Sequence, residues 1–135
     1  MHEAIEGSVS ATRPLIALAE DNAELRRLLA SALEMVGYRV VQEATGERLV
    51  ATVRRLLDTG ERLRLIITDV RMPTLDGLDA ARLLRARGLD TPLIFLTAFG
   101  DAWTRTEAAA LGALLLDKPV SIGVLRIAVA NAIGR

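Results

Sequence analysis

The stretch LIITDVRMP, residues 65–73, begins as a run of branched apolar residues and stops at a carboxylate, Asp69. Three other apolar runs end on groups that can do chemistry: Glu20-Asp21, Thr97-Ala98 and Asp117-Lys118-Pro119. Brought together, three carboxylates repel one another unless some protonate or a cation neutralises them. An all-oxygen set with room for water suits Mg²⁺. A carboxylate beside such a cation can attack phosphorus, because the metal offsets the repulsion between an anionic nucleophile and an anionic phosphoryl group. The transferring group has three equatorial oxygens, and metal, hydroxyl and ammonium can take one each. Asp69 is the expected nucleophile, with Thr97 and Lys118 as the hydroxyl and the ammonium.

Elements that could bring these groups together are legible around them. Five short apolar runs, Leu15-Ala19, Arg39-Gln42, Leu63-Thr68, Leu93-Thr97 and Ala113-Leu116, predict strands. Segments of helical period separate them. Leu25, Leu28, Leu29, Ala32 and Val36 make an inward face before Gly37, and Leu49, Val53, Leu56 and Leu57 make a second before Gly60. Asp76 caps a third helix whose Asp79, Arg82 and Arg85 form a solvated edge. Asp101 caps a fourth through Ala110, and Ser121 a fifth through Ile133. Strand-then-helix units of this kind call for a doubly wound α/β fold, a five-stranded parallel sheet covered on both faces. In such sheets functional groups gather beyond the carboxyl ends of the strands, near the point where strand order reverses. Of the five strand ends, the second offers no group of this kind.

The order Glu-Asp, then D-x-x-x-P-x-x-D-G over Asp69 to Gly77, then Thr-Ala, then Lys-Pro resembles the receiver domains of bacterial two-component response regulators. The resemblance runs from about Leu15 to Ile133 and implies a flavodoxin-like, CheY-like (βα)5 fold with strand order 2-1-3-4-5. Strands one and three would then be neighbours about 4.8 Å apart, with Asp21 facing Asp69 and Glu20 close by. The implied roles are phosphoacceptor for Asp69, direct Mg²⁺ ligand for Asp21, indirect or orienting ligand for Glu20, and backbone-carbonyl ligand for Arg71. The implied partner is a sensor histidine kinase or histidine phosphotransfer protein, and the domain would promote its own Mg²⁺-dependent phosphorylation and dephosphorylation. Lys118-Pro119 is expected to be cis. Departures from the family pattern are Leu115, where many receivers carry Tyr or Phe, and Val120 after the Lys-Pro pair. Phe99, two residues beyond Thr97, is expected to hinder attacking water.

The totals constrain the rest. Lys+Arg and Asp+Glu are both 17, so no global field draws the chain to nucleic acid, and no direct DNA binding is expected. Cysteine is absent and no apolar run is long enough for a membrane span, so a cytoplasmic protein is expected. Residues 1–14 read as a flexible leader and 15–135 as one receiver domain. The leader holds the only histidine, His2, to which no role is given. Helix five is apolar most of the way round, which points either to ordinary core or to a homodimer or effector surface on helix four, strand five and helix five. The leading expectation is a single-domain response regulator. The alternatives are an interaction module that no longer uses phosphorylation and a receiver fragment of a larger regulator. A flavin mononucleotide site is disfavoured because Glu20-Asp21-Asn22 would repel phosphate. An aspartyl phosphohydrolase is disfavoured because Arg71 stands where a second aspartate is usual.

Overall fold

The computed structural model describes residues 13–134; residues 1–12, with His2 and most of the expected leader, lie outside them, as does Arg135. Five strands, β1 (Leu15–Ala19), β2 (Arg39–Glu43), β3 (Leu63–Asp69), β4 (Leu93–Thr97) and β5 (Leu114–Asp117), alternate with five helices. The helices are α1 (Ala23–Glu34), α2 (Gly46–Asp58), α3 (Gly77–Ala86), α4 (Ala102–Ala110) and α5 (Ile122–Ile133). All strand pairs are parallel and the sheet order is β2-β1-β3-β4-β5. The expected fold class is therefore the observed one.

Strand alternation divides the core into two layers. Ile16, Leu18, Leu65, Ile67, Ile94 and Leu96 point to one face and meet Leu29 and Leu33 of α1 and Leu125, Val129 and Ile133 of α5. Ala17, Ile66, Leu93 and Phe95 point to the other, against Leu49 and Val53 of α2, Leu78 and Leu84 of α3 and Ala108 of α4. Each large side chain removed from water contributes about 1.5–3 kcal/mol, so the central strands are held rigidly. A rigid base of this kind keeps the side chains at the strand ends in fixed relation.

Each helix begins on a side-chain cap, from Asn22, Thr45, Asp76, Asp101 and Ser121 in turn. The caps expected at Asp76, Asp101 and Ser121 are in place. The inward faces differ from expectation. Leu28, Val36 and Leu57 are 57%, 49% and 45% exposed, while Ala30 and Leu33 are buried instead. A helix lying on a sheet covers a stripe narrower than the apolar residues available to it, so Leu28 and Leu57 stay wet at its edges, whereas Val36 lies beyond the end of α1. Arg85 does not lie on a solvated edge. Its guanidinium donates to the carbonyls of Leu89, Thr91 and Leu111 at 2.9, 2.7 and 3.1 Å, tying the ends of α3 and α4 to the start of β4.

The β3–α3 loop contains one strained residue. Thr74 has φ 70°, and the Leu75 N–H donates to the Pro73 carbonyl at 2.9 Å, closing a three-residue turn around it. A β-branched residue in this region costs about 1–3 kcal/mol. Thr74→Gly is expected to stabilise the protein by about 1 kcal/mol after the added freedom of the unfolded chain is counted, read as a higher urea midpoint.

Candidate functional site

β1 and β3 are neighbours with Ala19 opposite Thr68, so Glu20 and Asp69 leave the sheet side by side. Asp69 in turn pairs with Leu96, and Thr97 with Asp117, which brings Thr97 and Lys118 to the same edge. The expected strand boundaries move slightly: β3 includes Asp69, β5 is shifted to end on Asp117, and β2 runs on to Glu43. The second strand end thus carries a carboxylate after all. Glu43 accepts a hydrogen bond from the Thr52 hydroxyl of α2, and its carbonyl accepts from the Glu20 N–H at 3.0 Å. It supports β1 and lies outside the acidic cluster.

Glu20 is 1% exposed and Asp69 5% exposed, whereas Asp21 is open to solvent. One oxygen from each of the three lies within 4.8 Å of the others. Lys118 reaches across from the far side of the sheet: its Nζ is 2.7 Å from Glu20 Oε1 and 3.2 Å from Asp69 Oδ2. It is the only lysine in the sequence. The bond from Lys118 to Pro119 is cis, as expected. Thr97 is fully buried, and its hydroxyl oxygen accepts from the Phe99 N–H at 3.1 Å. Arg71 is exposed, with its guanidinium 5.9 Å from the centre of the Phe99 ring.

The charges are unbalanced. Burial, and after it the charge of Glu20, push the Asp69 carboxyl up from 3.8 to about 6; Lys118 pulls it down, and Asp21 adds a smaller upward push. Burial would lower the Lys118 ammonium, but the hydrogen bond to Glu20 and the charge of Asp69 outweigh it, so its pKa is raised. One ammonium therefore faces three carboxylates. Hard oxygen donors, one of them solvent-facing, with a shortfall of positive charge, fit a divalent cation such as Mg²⁺.

Several supports carry no signature in the sequence. Arg26 of α1 holds the Glu20 carbonyl at 2.9 Å, and the Asn22 N–H holds Glu20 Oε2 at 3.1 Å. Arg105 of α4 donates to the Gly100 carbonyl at 2.9 Å and forks onto both Asp117 oxygens at 3.2 and 3.1 Å, linking the β4–α4 loop to the residue before Lys118. Gly77, by contrast, closes the motif that begins at Asp69, and it lets α3 start directly against the Asp69 backbone. Leu115 is partly buried and packs against the core formed with α2, α3 and α4.

Comparison with known proteins adds a family. Residues 16–130 match the family described as the response regulator receiver domain. "Probable transcriptional regulator ycf27" of Cyanophora paradoxa is 40% identical over 98 residues, 73% of this chain and 38% of that protein. Transcriptional regulatory protein FixJ of Azorhizobium caulinodans is 35% identical over 119 residues, 86% of this chain and 53% of that protein. The chain thus spans about half or less of the length of these relatives. Among solved structures, the receiver domain of Francisella response regulator 1452 superposes with a TM-score of 0.79 at 26% identity, covering 90% of this chain and 97% of that one. A response regulator receiver domain protein from Clostridium thermocellum gives 0.79 at 28%, covering 90% and 95%.

Proposed function

Because this chain belongs to the response regulator receiver family, whose domains are phosphoacceptor signalling modules, we propose that it takes a phosphoryl group onto Asp69. The donor is the phosphohistidine of a sensor histidine kinase or of a histidine phosphotransfer protein. The observation that carries this reading is the buried Asp69 carboxylate, set beside Glu20 and Asp21 and 3.2 Å from the Lys118 ammonium.

An ionised Asp69 oxygen forms the new O–P bond as the donor's P–N bond breaks, and the departing imidazole takes up a proton. The Lys118 ammonium holds one phosphoryl oxygen, which requires it to loosen from Glu20 or Asp69. The Thr97 hydroxyl holds another through its hydrogen, since its oxygen already accepts from Phe99. Glu20, Asp21, Asp69 and the Arg71 carbonyl would hold Mg²⁺, which when bound supplies the positive charge that phosphoryl transfer needs. Phe99, stacked with Arg71, shields the mouth from attacking water and so lengthens the life of the phosphorylated state.

Intact-mass measurement after incubation with acetyl phosphate and Mg²⁺ tests the assignment. One added phosphoryl group on the native chain and none on Asp69→Asn is expected. Labelling of both chains at equal rate would move the acceptor elsewhere. No labelling of a protein that binds Mg²⁺ would favour the phosphorylation-independent interaction module, towards which Leu115 leans by lacking an aromatic ring.

Output is proposed to run through α4, β5 and α5, to a second copy or an effector, in the cytoplasm. No helix among the described residues is long and apolar enough to cross a membrane. Leu114, Val124 and Ile127 are 47%, 51% and 65% exposed and leave this side apolar. Trp103, in the first turn of α4 and 60% exposed, lies just beyond the loop that Thr97 must pull on. Its fluorescence is expected to change on phosphorylation of the native chain and to stay constant in Asp69→Asn. An unchanged spectrum in a fully phosphorylated sample would remove α4 from the output path.

A further inference from the structure

At the opposite, amino-terminal edge of the sheet, arginines gather where three adjacent strands begin. Arg13 precedes β1, Arg39 opens β2, and Arg62 and Arg64 flank the first residue of β3. Leu15 stands opposite Arg39 on one side and Leu63 on the other, but Ile16 is opposite Leu65, so Arg64 is the extra residue of a bulge. A bulge takes a residue out of the ladder and re-aims its side chain. The four arginines, with Pro14, Gly60 and Glu61, line one concavity of about 360 Å³.

Two of these guanidiniums are braced. Arg39 donates to the Arg13 carbonyl at 3.3 Å and to Glu61 at 3.2 Å, and Arg64 donates to the Ile133 carbonyl at 3.0 Å. The Arg13 and Arg62 side chains have no hydrogen-bond or ion-pair partner among the described residues. Among the described residues Glu61 is the only carboxylate in the lining and is already engaged by Arg39; Asp90 lies in the adjoining concavity that Arg62 and Arg64 also line. Four guanidiniums against one carboxylate leave a local excess of positive charge around one hollow, on a chain whose total charge is zero, and an anion would offset it. Guanidinium forks match phosphate oxygens in pairs. The volume suits a small ligand, and none of the described lining residues is aromatic and able to stack a base.

We propose that this concavity is a binding site for a small phosphorylated ligand bearing two or more negative charges, gripped by Arg39 and Arg64 and closed over by Arg13 and Arg62. It lies at the far end of the strands from Asp69 and does not depend on the phosphoacceptor reading. Calorimetric titration with inorganic pyrophosphate, in magnesium-free buffer at fixed ionic strength, tests it. Saturable one-site binding is expected for the native chain and for Asp69→Asn, weakened at least about tenfold in the double variant Arg13→Ser/Arg62→Ser. Both arginines are exposed, so the double variant is expected to keep the native circular dichroism spectrum. The double lysine variant, which keeps charge but loses the forks, is expected to fall between the two. Amide shifts should concentrate at residues 13, 39 and 60–64. The proposal is overturned by absence of saturable binding at millimolar pyrophosphate, by equal affinity in the double serine variant, or by loss of binding in Asp69→Asn. Tighter binding of a single-stranded oligonucleotide through the same arginines would also overturn it, and would make the edge a nucleic-acid surface.

Discussion

Asp69→Asn is expected to stabilise the metal-free protein at pH 7.5 by an amount of the order of 3 kcal/mol, even as it abolishes phosphorylation. The Asp69 carboxyl is raised from 3.8 to about 6 in the folded state, so between those values the folded chain binds more protons than the unfolded one. The contribution of Asp69 to stability is then fully present below about pH 4, is lost as pH rises through about 6, and stays absent above it. Two pKa units correspond to roughly 3 kcal/mol. Asparagine carries no charge at any of these pH values and escapes the loss. Urea titrations of both chains in the presence of a chelator, at pH 3.5 and 7.5, check this. The difference is expected at the higher pH, to vanish at the lower, and to narrow at pH 7.5 when Mg²⁺ is added. A difference independent of pH would mean that packing, and not charge, separates the two proteins.

Gly77→Ala is expected to cost about 3 kcal/mol or more, although alanine is the better helix former by about 1 kcal/mol. A Cβ at residue 77 would lie 2.1 Å from the Asp69 carbonyl oxygen and 3.1 Å from Thr68 Cγ2, and both belong to the buried end of β3. Backbone on a central strand cannot yield as a flexible side chain does, so α3 must move away or the Asp69 peptide must rotate. Either change displaces the carboxylate, and Mg²⁺ affinity should fall together with stability. Gly123→Ala is the control. Nothing lies within 4 Å of a Cβ there, at an exposed position of α5, so the same exchange should be neutral or stabilising. Equal urea midpoints for Gly77→Ala and the native chain would show that the contact relaxes at no cost.

The residues that ended apolar runs were readable because a charge interrupting a buried strand stands out against its neighbours. Glu20, Asp21, Asp69 and Lys118 were found in that way and Thr97 as a hydroxyl ending its strand, and the parallel register brings their strand ends to one edge. The pairing of Lys118 with Glu20, three strands away, was not readable, because reach across a sheet is set by side-chain orientation and not by spacing along the chain. Arg85 misled in the opposite sense. At helical spacing from Asp79 and Arg82 it looks solvated, yet its three carbonyl partners come from segments that meet only after folding. Leu28 and Leu57 misled because periodicity marks which residues are apolar, and the width of the contact decides which are covered; Val36 misled because α1 stops at Glu34, before it. Thr74 gave no sign at all, since nothing in its residue type favours positive φ.

The sole lysine has a use in protein chemistry. An amine-acylating reagent can modify only the chain's α-amino group and Lys118, whose amine is clamped between Glu20 and Asp69. Its acylation rate therefore reports how often that clamp opens, read as the modified fraction of one peptide. A ligand or partner that loosens the clamp would register as faster labelling and one that tightens it as protection, with no tag, no engineered residue and no background from other side-chain amines.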